Sequence, residues 1–127
     1  KVWNRKNRIS LQLRMHTYTE NLIGTGRYVA LLYGPYVLAG RMGKENLPST
    51  FWGKMNNTAM NKMDLSKVPV FNIPATQIPD HVEPVFERGT LRFNIHLKGF
   101  ENVVLEPFYK IHFERYAIYW PTASSNE

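Results

Sequence analysis

Apolar and polar residues alternate strictly along two stretches of the chain, residues 9–16 and residues 91–98. In both stretches the odd-numbered residues are apolar and the even-numbered residues are polar. Successive side chains of a β-strand point to opposite faces of the sheet, so this period of two predicts strands with one face in the core and one face in water.

Further strands are predicted where short apolar runs end at glycine or proline. Residues 28–33 are apolar on both faces, which is typical of a central strand, and Gly34-Pro35 ends the run. Two shorter candidates contain Pro69 and Pro84, and proline is tolerated mainly at sheet edges and bulges. These two are residues 68–73 and 82–86, and the remaining candidates are residues 36–39 and 116–120. Without a convincing long amphipathic helix, these runs predict an all-β fold, an antiparallel, jelly-roll-like β-sandwich of about seven or eight strands.

The domain organisation follows from length and composition. A chain of 127 residues makes one ordinary domain, and no change in composition along it indicates a second core. Residues 40–67 are rich in Asn, Lys, Met and Ser and show no period, which indicates a long irregular loop. The chain starts at Lys1 and not at a methionine, in the middle of a residue pattern. We therefore expect a single β-sandwich domain over residues 1–127 that is a fragment of a larger multidomain protein.

Charge and cysteine content narrow the functional classes. The net charge of +6 invites a nucleic-acid function, but only Lys1, Arg5, Lys6 and Arg8 cluster, so we expect no nucleic-acid partner. The absence of cysteine rules out disulfides, Cys-ligated zinc and Cys nucleophiles within this polypeptide. No apolar run reaches the length of about 18 residues that a membrane span needs, and we expect no membrane partner.

Candidate catalytic residues are few. Glycoside hydrolysis needs two carboxylates, and the chain offers Glu83 with Glu87 and Glu106 with Glu114, at undistinctive spacings. The four histidines lack the spacing of a metal site, so we expect no metal and no cofactor in this chain. Trp52 and the adjacent Phe51 are weak candidates for stacking on a sugar ring; the alternative is that they cover a sheet edge.

The run from Leu105 to Trp120 mixes aromatic and charged residues. His112 and Arg115 stand three positions apart, a poor arrangement for a metal but a suitable one for hydrogen bonds to carbonyls or to the carboxylates of Glu106 or Glu114. A buried Arg must have a partner, because an unpaired buried charge costs several kcal/mol. We interpret His112, Arg115, Glu106 and Glu114 as a polar clasp, a set of side chains that holds the closing strand; a sugar-binding role is the alternative.

Two segments of the chain carry recognisable motifs. Residues 8–15 are followed by residues 27–40, which contain Val29-Ala30-Leu31 shortly before Gly34-Pro35. This first segment resembles the part that follows the catalytic barrel in glycoside hydrolase family 127, the β-L-arabinofuranosidase-like enzymes. The second segment is similar to the C-terminal module of Bacteroidetes-type members; it comprises residues 105–109 with His112, Arg115, Tyr116, Tyr119 and Trp120.

The resemblance implies a non-catalytic role for this chain. In the family, a zinc-bound cysteine nucleophile and a glutamate acid-base lie on an upstream helical barrel, and this chain has neither the barrel nor a cysteine. No catalytic residue carries over. The resemblance therefore implies a non-catalytic accessory or structural domain, not an enzyme by itself, whose partner is the catalytic domain of the same polypeptide. A carbohydrate-binding module for plant-type polysaccharide is the alternative. The parent protein would be periplasmic or extracellular.

Overall fold

The chain is described by a computed structural model that covers residues 2–24, 26–44 and 68–123. Its architecture is all-β, which confirms the predicted fold class. Among the described residues, two short 3-10 helices, Ala75–His81 and Phe108–Lys110, accompany the strands. The described residues contain eight strands: β1 Thr17–Asn21, β2 Tyr28–Tyr33, β3 Tyr36–Arg41, β4 Val82–Glu87, β5 Thr90–Ile95, β6 Val104–Pro107, β7 Tyr116–Ala117 and β8 Tyr119–Pro121.

The eight strands form one curled antiparallel sheet. Six of them follow the order β1-β2-β3-β6-β5-β4, while β7 pairs with β3 and β8 pairs with β2. β1 and β4 are therefore the two ends of the six-strand path, and Pro84 lies in β4, as expected for a proline within a strand. The finer jelly-roll arrangement stays a prediction.

The turn between β2 and β3 explains the Gly34-Pro35 pair. Tyr33 and Tyr36 are paired residues, so the loop has only two residues. Gly34 has a φ of 54°, a left-handed conformation that glycine adopts without steric cost. A two-residue hairpin of the II′ type requires a glycine at this first loop position.

The last two strands, β7 and β8, are inserted where β2 and β3 diverge. Beyond its turn-proximal half, β2 pairs with β8 through Val29 and Trp120, while β3 pairs with β7 through Gly40 and Ala117. The predicted strand over residues 116–120 is thus two short strands separated by a bend at Ile118. Inserting them between two diverging neighbours curls the sheet around one core.

The core is largely aromatic at this insertion. The rings of Phe71 and Phe100 stack with their centroids 4.4 Å apart, and Trp120 meets both at 6.1 Å and 5.9 Å. Trp120 also lies against Gly40, where an added Cβ would come within 2.6 Å of the indole ring. Glycine is therefore required at position 40 by the close approach of this ring.

The strand predicted over residues 68–73 is wrong. Only Phe71 takes part in the sheet, through an isolated parallel bridge to Thr122. The phenyl ring is fully buried all the same, so the apolar residues of this run mark packing and not strand pairing. The prediction over 82–86 is confirmed by β4, and the alternation over 91–98 is confirmed as far as Ile95 by β5.

The strand predicted over residues 9–16 is also wrong. β1 begins at Thr17, and no residue from 2 to 16 belongs to a strand. The four apolar residues that carry the alternation form what we call the apolar stripe, and their exposed fractions are 72% for Ile9, 78% for Leu11, 75% for Leu13 and 43% for Met15. Alternation indicates that a segment has one apolar and one polar face, but a strand also needs a neighbouring strand to pair with. Within the described residues, no strand pairs with residues 9–16.

The loop predicted over residues 40–67 is described only at its start. Gly40 and Arg41 belong to β3, and residues 42–44 follow without regular structure. Residues 45–67 lie outside the described residues, and so do the candidate sugar contacts Phe51 and Trp52. The division into one domain over residues 1–127 stays a prediction.

Candidate functional site

A buried carboxylate lies on the face of the sheet opposite the aromatic core. Glu106 of β6 is only 3% exposed. The pairing of Phe93 with Leu105 places Arg92 of β5 beside Glu106, and the pairing of Ala39 with Glu106 places Arg41 of β3 two residues further along the same face. Alternation within each strand therefore puts two arginines and the carboxylate together.

The two arginines hold both oxygens of this carboxylate. Arg41 donates from Nε at 3.0 Å and from Nη2 at 2.7 Å to Oε2 of Glu106, while Arg92 donates from Nε at 3.0 Å to Oε1. Arg41 also donates from Nη1 to Glu114. We call Arg41, Arg92, Glu106 and Glu114 the arginine–carboxylate network.

The electrostatics keep Glu106 ionised. Burial acts to raise the pKa of its carboxyl, but the hydrogen bonds and positive charges of Arg41 and Arg92 outweigh burial and lower the pKa below its ordinary value. A general acid of a glycosidase needs the opposite shift, a raised pKa. Glu106 is thus suited to holding strands together and poorly suited to donating a proton.

Glu114 reaches the network from the connection between β6 and β7. Its side chain is only 8% exposed. The preceding Phe113 has a φ of 61°, a left-handed conformation that is rare for a bulky residue and that turns the chain sharply just before Glu114. Backbone hydrogen bonds of Arg115 with Met42 and Gly43 fasten this connection along the end of β3.

The structure brings together only part of the predicted polar clasp. Glu106 and Glu114 meet on Arg41, a residue that the sequence analysis did not single out. His112 is exposed, with its ring 6.2 Å from that of Phe113, and Arg115 is half-buried and makes the backbone bonds described above. The assignment of His112 and Arg115 to the clasp stays a prediction.

Aromatic side chains flank the arginine–carboxylate network. Tyr116 is paired with Arg41 across β7 and β3, and its ring lies 4.9 Å from that of Phe108. Phe108 is 37% and Tyr116 50% exposed. Nearby, Tyr109 is 5.8 Å from Tyr36. Exposed rings therefore lie beside the charged, hydrogen-bonding side chains of Arg41 and Arg92.

The other carboxylate pair does not form a catalytic arrangement. Glu83 and Glu87 lie four residues apart on β4, a separation of roughly 13 Å along a strand. The two carboxylates of a glycosidase stand about 5 to 9.5 Å apart. Glu83 instead contacts His96 at 2.7 Å on the exposed surface.

A shallow depression lies near the end of β5. Its volume is about 610 Å³. At its rim the backbone N–H of Gly99 donates to both carboxylate oxygens of Glu101, and the backbone hydrogen bonds of Glu101 and Gly99 lower the pKa of that exposed carboxyl. The lining residues are Asn94, Ile95, His96, Leu97, Lys98, Phe100, Glu101 and Val103.

Two further findings concern residues 2–24, 26–44 and 68–123. Within these ranges no three metal-ligating side chains come together in a group that could hold an ion. Nor does any helix in the same ranges have the length and apolar character needed to cross a membrane.

The chain belongs to DUF4986, a domain family of unknown function, which it matches over residues 18–122. No curated protein matches the chain. The matched region starts one residue after the beginning of β1 and ends one residue after β8, so it coincides with the curled sheet. The apolar stripe lies before it.

Replacing Glu106 with Gln tests the role assigned to the network. A carboxyl with a lowered pKa in the folded state adds stability above its unfolded pKa, and this stability is lost as the pH falls through the folded pKa. We expect Glu106→Gln to lower the free energy of unfolding by about 1–3 kcal/mol at pH 7, with the difference from wild type shrinking in acid. Urea unfolding across the acid range measures both.

Glu83→Gln is the matched control. Glu83 is also a strand carboxylate with a hydrogen-bonded side-chain partner, His96, but its side chain is 61% exposed. Surface pairs contribute little, so its unfolding free energy is expected to change by less than about 1 kcal/mol. Equal effects of the two substitutions would show that the buried network has no special role.

Proposed function

We propose that this DUF4986 domain is a non-catalytic accessory domain of a glycoside hydrolase of the β-L-arabinofuranosidase type, and that it packs against the catalytic domain of the same polypeptide. The observation that carries the proposal is the exposed apolar stripe. Covering one Leu or Ile side chain is worth about 1.5–3 kcal/mol, so three or four such residues give a neighbouring domain a substantial reason to dock. The resemblance of residues 8–15 and 27–40 to that enzyme family supports this choice of neighbour.

The state of the carboxylates supports a role without chemistry. Glu106 is held ionised by Arg41 and Arg92, and Glu114 is held by Arg41. Because both side chains are almost fully buried, neither is placed to contact a sugar bond directly. The catalytic groups would then belong to the neighbouring domain, and secretion to the periplasm or beyond would place the parent protein near plant-type polysaccharide.

Deleting the domain from the full-length protein tests this proposal. We expect the full-length protein to hydrolyse a chromogenic β-L-arabinofuranoside and the isolated 127-residue chain to show no hydrolysis above buffer. We also expect the catalytic domain alone to unfold several degrees lower than in the full-length protein, because it loses the contact with the stripe. Hydrolysis by the isolated chain, or a full-length protein inactive on every glycoside offered, would contradict the proposal.

A carbohydrate-binding function is the second candidate, and the exposed rings of Phe108 and Tyr116 favour it. The neighbouring Arg41, Arg92, Glu106 and Glu114 have charges that sum to zero, so this surface suits a neutral ligand. The aromatic rings match the apolar faces of a neutral sugar, and the partly exposed guanidinium groups of Arg41 and Arg92 are able to bond its hydroxyls.

Calorimetry with arabinose-containing oligosaccharides tests the second candidate. If the surface binds sugar, Tyr116→Ala is expected to weaken binding at least about tenfold, since stacking on the ring is lost. Phe86→Ala is the matched control, because Phe86 is a 73% exposed ring on β4, at the far end of the strand order. Absence of binding by the wild-type chain, or an equal loss in both variants, would reject this function.

A further inference from the structure

The two arginines of the arginine–carboxylate network are bonded differently. Arg41 donates to a carboxylate from each of its three guanidinium nitrogens, to Glu106 from Nε and Nη2 and to Glu114 from Nη1. Arg92 donates to Glu106 from Nε alone. Within residues 2–24, 26–44 and 68–123, neither Nη group of Arg92 has a bonding partner, and the side chain is 48% exposed. Arg41 therefore serves the fold, whereas both Nη groups of Arg92 are available to a ligand.

The bond to Glu106 limits how the guanidinium group of Arg92 is oriented. Nε donates at 3.0 Å to a carboxylate that is only 3% exposed, so this side of the group is anchored to the buried part of the network. Because the guanidinium group is planar and rigid, anchoring Nε also restricts the directions in which the two Nη groups donate. Such a fork bonds two neighbouring oxygen atoms at once, which a lysine cannot do. Arg92 is thus arranged in advance to bind a pair of oxygen atoms.

Exposed aromatic rings lie close to the same carboxylate. β6 lies between β3 and β5, with Arg41 and Tyr116 on the β3 side of Glu106 and Arg92 on the β5 side. The ring of Tyr116 is 50% exposed and lies 4.9 Å from the ring of Phe108, which follows two residues after Glu106. Since Arg41 and Arg92 bond one carboxylate, a short ligand stacked on these rings is able to reach the Nη groups of Arg92.

The charges around Arg92 favour an uncharged ligand. Arg92 is paired with Val85 of β4, so alternation along β4 places Glu83 and Glu87 on the same face, as diagonal neighbours of Arg92. A third carboxylate, that of Glu106, bonds Arg92 directly. These three negative charges would repel a carboxylate ligand, whereas a hydroxyl carries no charge and still accepts a hydrogen bond. Two neighbouring hydroxyls therefore fit Arg92 better than a carboxylate does.

We propose that Arg92 selects the ligand of this surface, by donating from both Nη groups to two neighbouring hydroxyls of a neutral sugar whose ring stacks on Tyr116 or Phe108. This inference rests on the carbohydrate-binding function given above as the second candidate, and it names the binding group and the class of ligand. The residues involved lie outside the apolar stripe, so an accessory domain is able to pack through the stripe and bind sugar at this surface.

Calorimetry with an arabinose trisaccharide tests the role of Arg92. Arg92→Lys keeps a positive charge beside Glu106 but removes the fork, so we expect binding to weaken at least about tenfold. The urea midpoint of unfolding is expected to move less than it does for Glu106→Gln. Arg88→Lys is the matched control, because Arg88 is an exposed arginine in the turn between β4 and β5, and it is expected to change neither quantity. Equal binding by Arg92→Lys and wild type would overturn the inference.

Arg41→Lys separates a binding role from a structural one. All three guanidinium nitrogens of Arg41 bond buried carboxylates, so we expect a larger fall in the urea midpoint for Arg41→Lys than for Arg92→Lys. If Arg92→Lys lowers the midpoint as much as Arg41→Lys does, and loses binding only in proportion to the unfolded fraction, Arg92 is structural and the inference is wrong.

A galacturonic acid trisaccharide, titrated under the same conditions, tests the class of ligand. We expect it to bind at least about tenfold more weakly than the arabinose trisaccharide, because its carboxylates meet Glu83, Glu87 and Glu106. Equal or tighter binding of the acidic sugar, weakened by Arg92→Lys, would show that Arg92 binds a carboxylate and would overturn the choice of a neutral ligand.

Failure of this inference can be told apart from failure of the carbohydrate-binding function. If the wild-type chain binds neither trisaccharide, the function fails and the inference fails with it. If the wild-type chain binds the arabinose trisaccharide, and Tyr116→Ala weakens this binding while Arg92→Lys does not, the surface binds sugar without Arg92 and only the inference fails.

Discussion

The packing of Trp120 against Gly40 is the contact on which the curled sheet depends. The ring fills the space between β2 and β3 where these strands diverge, and its backbone belongs to the strand that pairs with β2 at that point. A side chain on residue 40 would occupy the space that the indole needs. Phe71 and Phe100 complete the cluster and bring residues outside the regular strands into the core. One bulky residue near the end of the chain thus contacts β2 through its backbone and β3 through its ring.

The opposite face of the same strands is organised by charge. Arg41 and Arg92 come from β3 and β5, the two neighbours of β6, and their shared carboxylate Glu106 lies between them. A single acidic side chain therefore links three adjacent strands, and Glu114 adds the connection before β7. Such a network is favourable only while every member is paired, because an unpaired buried charge is costly. Although burial acts to raise the pKa of Glu106, its pairing with Arg41 and Arg92 lowers that pKa, which argues for a structural use of residues that resemble catalytic ones.

Much of the fold was predictable from local patterns, while the partners within the site were not. The all-β class, β2, β4 and β5 followed from alternation and from the positions of Gly34, Pro35 and Pro84. Alternation placed Arg92 on the polar face of its strand, where it is exposed, but alternation does not give the register of that strand with β6. Only that register reveals that Arg92 lies beside Glu106. The same limit explains the error over residues 9–16, where a strong strand pattern has no partner in the described part of the chain.

An experimental structure of the full-length protein tests the central claim most directly, which is that this domain is a structural unit completed by a neighbour. The account predicts that Ile9, Leu11 and Leu13, which are exposed in the isolated chain, are buried against the catalytic domain. It also predicts that Glu106 remains bound to Arg41 and Arg92, away from the cleft that holds the substrate. A full-length structure in which the apolar stripe stays exposed to solvent, or in which Glu106 faces the substrate, would contradict it.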